Sequence, residues 1–150
     1  MILLSSALRA ALATEYGLAR MMRYGYIRIF SGTQPTDADR NEQGTYLGKI
    51  TEGGNDFYPG YTSGALDLQA GPVAGACQMR GNWVLTVENT GTAGWWRFVW
   101  NGADNGTGSE YVPRVDGLMG EGLILPSNDL TAGDALNIDS FFFFIPPIPT

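Results

Sequence analysis

Residues 81–102, GNWVLTVENTGTAGWWRFVWNG, leave this chain few folds to choose from. Apolar residues recur with a period of two on both sides of the turn NTGTAG, the spacing of two β-strands. Over 82–88, Trp83, Leu85 and Val87 share one face. Over 94–100, Trp96, Phe98 and Trp100 share one face, and Trp95, Arg97 and Val99 the other. A strand this aromatic needs cover on both sides. One face fills a core, and the other packs under an N-terminal helix or a partner subunit.

The same period marks 24–30, where Tyr24, Tyr26, Ile27, Ile29 and Phe30 are aromatic or β-branched. It recurs in 45–51 and 64–70, with further strands near 109–116, 121–126 and 134–145. About eight short strands separated by Gly, Asn and Asp turns predict a mainly β fold, a jelly-roll-like antiparallel β-sandwich. The 21 glycines and the single lysine, Lys49, agree with it. Residues 2–23 have the period of a helix instead: Leu4, Leu8 and Leu12 stand four apart, and Gly17 can divide the helix in two. The expected organisation is a helical arm at 1–23, a β-sandwich at 24–145 and an extended tail at 146–150. The tail follows from FFFFIPPIPT, whose prolines cannot donate ladder hydrogen bonds.

Charge narrows the function classes. The net charge is −6, which argues against a direct nucleic-acid partner held through phosphates. Residues 1–30 carry a net +3 and residues 31–150 a net −9. The arginines of the arm, Arg9, Arg20 and Arg23, read as a solvated helix face or as a docking surface for an acidic neighbour. No stretch reaches the roughly 18–20 apolar residues that span a bilayer. The opening MILLSSALRAALAT lacks a basic start and is interrupted by Arg9, so it reads as no signal peptide. Synthesis and residence in a cytoplasm are expected.

Catalytic signals are sparse. The chain has no histidine, which removes Ser–His and Cys–His nucleophile pairs and His metal sites. Cys77 is the one cysteine and reads as a small buried side chain. Asp37 and Asp39 form a D-x-D with no third ligand at a recognisable spacing. NGADNGTGSE misses the calcium-loop spacing and reads as a hairpin turn. The glycine-rich stretches lack the lysine and helix of a phosphate cradle. No catalytic, cofactor or metal residue is nominated, and a non-enzyme is expected.

Surface chemistry is richer. Trp95 and Arg97 are of the types enriched at interface hot spots, and the tryptophans could also form a sugar-stacking platform. In FFFFI, Phe142 and Phe144 are expected to point inward. Phe141 and Phe143 then need a helix or a second subunit over them.

One segment carries a resemblance. YIRIFSGTQPTDADRNEQGTYLGKI, Tyr26 to Ile50, has a strand ending in Ser-Gly, then Gln-Pro, Ala-Asp two residues on, and Gly-Thr entering the next strand. It resembles a motif of small tailed-bacteriophage virion proteins. GTAGWWRFVWNG and LTAGDALNIDSFFFF are similar to later strands of such proteins. The resemblance implies a structural protein of the phage head, of the cement or decoration type, made in the host cytoplasm and placed on the capsid surface. Its implied partners are the major capsid protein and itself, as a dimer or trimer. A tail or head–tail connector subunit and a carbohydrate-binding β-sandwich of a host-attachment structure are the alternatives. The implied contact elements are the arm (Leu4, Leu8, Arg9, Leu12, Arg20, Arg23), the 31–45 loop (Gln34, Pro35, Asp37) and the tail (Pro146, Pro147). Trp95, Arg97, Phe141 and Phe143 join them as interface candidates.

Overall fold

The computed structural model describes residues 1–14, 17–71 and 76–144. In chain order the elements are β1 (Leu3–Leu4), α1 (Ser6–Thr14), α2 (Leu18–Met22), β2 (Tyr26–Phe30), β3 (Tyr46–Glu52), β4 (Asp67–Ala70) and β5 (Ala76–Arg80). There follow β6 (Trp83–Val87), β7 (Gly91–Thr92), β8 (Trp95–Val99), β9 (Arg114–Leu118), β10 (Leu123–Ile124), β11 (Asp129–Leu130), β12 (Ala135–Asn137) and β13 (Ser140–Phe144). The fold is mainly β, with antiparallel sheets and two short helices among the described residues. Seven strands form one sheet in the order β1-β9-β8-β2-β3-β6-β12, four form another in the order β10-β13-β5-β4, and β11 pairs with β7.

The pattern at 81–102 works as its period demands. Trp83, Leu85 and Val87 from β6 and Trp96 and Phe98 from β8 enter the core. Phe141 from the four-stranded sheet meets them, with ring centroids 5.1 Å from Trp83, 5.3 Å from Trp96 and 5.7 Å from Phe98. These tilted and edge-on pairs suit the ring quadrupoles. The expected facing of the phenylalanine run is reversed. Phe141 lies opposite Leu123 and Phe143 opposite Cys77, and all four are buried. Phe142 lies opposite Gln78 on the outer face and is partly exposed. The reason is the aromatic pocket between β6 and β8, which Phe141 fills. The proposed strand 134–145 is also two strands. Ile138 N–H still donates to Trp83 O in the first sheet, whereas Asp139 N–H donates to Ile124 O in the second.

Residues 1–23 are built into the β fold rather than held apart as an arm. Leu3 pairs with Asp116 and Leu4 with Val115, so β1 closes one edge of the seven-stranded sheet. Ser5 is buried, and its Oγ accepts the Leu8 N–H at 3.2 Å and the Arg114 N–H at 2.8 Å. One hydroxyl thereby caps α1 and ties it to β9. Asp39 adds a second cap, accepting the Ser6 N–H at 2.8 Å and the Ser6 hydroxyl at 2.5 Å. Leu8, Leu18 and Met22 then reach the core. The chain leaves α2 through Tyr24, at φ 67°, a left-handed conformation unusual for an aromatic residue. Gly25 follows because a Cβ there would stand 1.8 Å from Val99 O.

Candidate functional site

The second face of the seven-stranded sheet is buried and charged. Register sets it out in rows: Phe30 beside Trp95, then Arg28 beside Arg97 beside Asp116, then Tyr26 beside Val99 beside Arg114. The 31–45 loop and the 101–113 segment close over these rows. Trp95 stacks on Phe30 at 4.5 Å and donates to Gln43 O at 3.1 Å. Arg97 makes a two-pronged pair with Asp116, at 2.7 and 2.9 Å, and donates to Arg40 O at 3.0 Å. Arg114 grips Asp104 with two 2.7 Å bonds and donates to Ala38 O at 3.2 Å and to Thr107 O at 2.7 Å. Arg28 donates to Asp104 O at 3.0 Å, and its Nε lies 2.7 Å from Glu42 Oε1, off the line a good hydrogen bond needs. Three arginines thus face three carboxylates, and the cluster closes on itself.

Burial and pairing compete at each carboxylate. Burial pushes Asp104 up, but the Arg114 hydrogen bonds, the Gly106 N–H and the charges of Arg28 and Arg114 outweigh it and hold it below its ordinary value. Burial raises Asp116 despite Arg97, and raises Glu42 despite Arg28. Burial lowers Arg114, but the bonds and charge of Asp104 more than reverse this and raise it. Each of these groups faces an opposite charge within the chain, although Arg28 Nε and Nη2 and Glu42 Oε1 lack a well-aligned hydrogen bond, and the cluster fastens two loops onto a sheet. No group of three or more acidic or cysteine side chains placed to hold a metal occurs among the described residues. Cys77 is buried, which raises its thiol pKa.

A surface hollow lies elsewhere. A groove of about 900 Å³ runs between α2 and the end of β8, lined by Arg20, Arg23, Tyr24, Leu68, Trp100 and Asn101 among others. The Arg23 guanidinium rests 4.5 Å from the centre of the Tyr24 ring. The Trp100 indole lies against Gly102, where a Cβ would stand 2.3 Å from its ring. Beside the groove, Gly60 N–H donates to Asn101 Oδ1 at 3.0 Å. That bond anchors the Tyr58–Tyr61 turn, closed by Tyr61 N–H to Tyr58 O at 3.1 Å, with Pro59 and a positive-φ Gly60 at its centre. Tyr58 and Tyr61 are 56 % and 67 % exposed. Trp100 N–H bonds Pro113 O, which places the loop of Tyr111, 81 % exposed, alongside.

No protein-family model, curated protein or solved structure matches this chain.

The interface candidates divide sharply. Arg20 and Arg23 come together on the groove. Arg9 is exposed and bonds the Ser6 hydroxyl at 3.4 Å. Leu4 and Leu12 are half-buried against the core, and Leu8 is buried. Gln34 donates to Met1 O at 2.9 Å, Pro35 is buried under its own loop, and Asp37 pairs with Arg40 at 2.8 Å on the surface. Leu8, Pro35, Trp95, Arg97, Phe141 and Phe143 are consumed within the chain and offer no surface to a partner. The cover that Trp95 and Arg97 needed comes from the 31–45 loop rather than from a helix or subunit. A sugar platform on Trp95 is ruled out by the same burial. Pro146 and Pro147 lie outside the described residues. Sequence reasoning missed Tyr24, Asn101, Tyr58, Tyr61 and Tyr111. FYPGYT signals the tyrosine turn through its Pro-Gly, whereas Tyr24 and Asn101 join the groove only through long-range packing.

Proposed function

We propose that this protein is a structural component of a tailed-phage virion, of the cement or decoration type, that binds the coat-protein shell. One observation carries the reading. The residues of the virion-like motif act as a single built unit: Gly32 and Gly44 take positive φ, Pro35 and Ala38 are buried, and Asp39 caps α1. The resemblance therefore rests on residues that a fold needs, rather than on shared composition. The packing of Phe141 among Trp83, Trp96 and Phe98 supports taking the two larger sheets as the layers of a jelly-roll-like sandwich. In this reading the protein is made in the host cytoplasm, self-associates as a dimer or trimer, sits on the capsid surface and meets the major capsid protein through many shallow, symmetric contacts.

Imaging of purified particles tests this. Density for the protein at regular positions over the shell is the expected result. Density only at the portal vertex or tail would overturn the cement role in favour of a connector or tail subunit. Particles that lack the protein would overturn both.

A further inference from the structure

We propose that the free edge of β12 takes an extended, basic segment of a partner protein as a further strand of the seven-stranded sheet. This goes beyond the virion reading and does not depend on it. Backbone geometry carries the argument first. β12 ends the sheet, with Leu136 opposite Leu85 of β6. Val87 N–H donates to Asp134 O at 2.9 Å, and Ile138 N–H donates to Trp83 O at 3.3 Å. Antiparallel ladders alternate, so the backbone groups of Leu136 turn toward β6 and those of Ala135 and Asn137 turn away. Both of those residues are exposed. Their N–H and C=O groups stand in the spacing that an added strand needs. The other ends of the two larger sheets are blunted. β1 and β10 are each 2 residues long. Along β4, the Leu68 N–H is taken by the Asp67 carboxylate at 2.9 Å and Ala70 O by the Gln78 amide at 3.2 Å, and Leu66 just before it bonds Tyr24 and Gly25.

Charge and side-chain pattern select the occupant. Asp134 and Asp139 stand exposed at the two ends of β12, and neither has an ion-pair partner among the described residues. A second copy, with its own net charge of −6, would bring two more aspartates to the same edge, so like charges oppose self-pairing. A Lys or Arg opposite each aspartate is attracted instead. Between the aspartates, Leu136 is half-buried against the core. An apolar side chain opposite it lies on the same face and completes its cover. An antiparallel partner therefore carries a basic residue, two residues of any kind, an apolar residue, one of any kind and a second basic residue.

The test uses the whole protein, isotope-labelled for amide resonances, and the capped peptide Lys-Thr-Thr-Val-Thr-Lys. Binding should shift the amides of Ala135 and Asn137 and slow their hydrogen exchange. The peptide with Gln in place of both Lys should bind about ten-fold weaker, and Asp134→Asn with Asp139→Asn should weaken the lysine peptide about ten-fold. Raising salt from about 50 to about 300 mM should weaken the wild type more than that double variant. Asn137→Pro removes an outward N–H and no ladder bond, so it should melt like the wild type and bind about ten-fold weaker. N-methylation of the peptide at the threonine before valine tests the same bond with the protein unaltered, and it should weaken binding as much. N-methylation at valine, whose N–H points away from β12, should be tolerated. Equal binding of the lysine and glutamine peptides, equal binding of the two N-methylated peptides, or shifts confined to other residues would overturn the site. Self-association in sedimentation that Asn137→Pro abolishes, without peptide binding, would give the edge to a second copy and overturn it too. Failure here with the protein still found on particles leaves the virion reading standing. Peptide binding by a protein missing from particles does the reverse.

Discussion

Arg97 and Asp116 have no exposed surface and answer each other with two hydrogen bonds. Breaking such a pair leaves a charge stranded in low dielectric, whereas replacing both partners need not. Asp116→Ala should therefore cost about 3–5 kcal/mol in urea unfolding. The double change Arg97→Met with Asp116→Leu should recover most of that loss; a double variant as unstable as the single one would mean that the pair is not an isolated unit. Gly25 is a different kind of constraint. A methyl there would stand 1.8 Å from Val99 O, so Gly25→Ala should destabilise by more than about 2 kcal/mol, seen as a lower urea midpoint at unchanged slope. At this scale the sequence was partly legible. The alternation at 82–88 and 94–100 assigned each face, but the charge of Arg97 pointed outward to a partner. Only the cross-strand register with Asp116 shows why it is buried, and a register between residues 97 and 116 is written in no local pattern.

The 31–45 loop and the 101–113 segment are held down by Asp104, Glu42 and Asp116, and these carboxylates titrate in opposite senses. Asp104 is held below its ordinary 3.8. The unfolded chain binds that proton more readily, so the contribution of Asp104 is full above 3.8 and is lost as pH falls through the folded value. Glu42 and Asp116 are raised above 4.5 and 3.8. The folded chain binds their protons more tightly, so stability falls as pH rises from those values through the raised folded ones. Urea midpoints across acid to neutral pH should show both limbs. Asp104→Asn should flatten the acid limb, and Glu42→Gln should shallow the decline above 4.5. Limbs unchanged in both variants would mean that the loops are fastened by something else. The loop itself was legible as shape, through Gly32, Pro35 and Gly44, but its role was inverted: a segment read as reaching outward is the lid of the chain's own charged face. β5 was missed because ACQMR has no strand signature. It is a strand because β13 and β4 flank it.

Across the whole molecule, the first residues behave as part of the sheet. Met1 bonds Glu121 through its amino group and Gln34 through its carbonyl, and Leu3–Leu4 pair with β9. Removing residues 1–4 should uncover the edge of β9, lower the melting temperature and promote association by strand pairing. A truncated protein that melts like the full chain and stays monodisperse on size exclusion would restore the detached arm. The sequence could show the helical period of this segment but not its strand, since two residues carry no period. That pairing also has a temporal side. The bond from Arg114 N–H to Ser5 Oγ joins positions 109 apart in the chain. The entropy of closing so long a loop is met before any contact repays it. A nascent chain emerging from its amino end must wait for most of its length before its first strand finds a neighbour. The edge that protects the finished protein is therefore expected to seal late, and pulse-labelled amide exchange showing Leu3 and Leu4 protected as early as β8 would overturn that order.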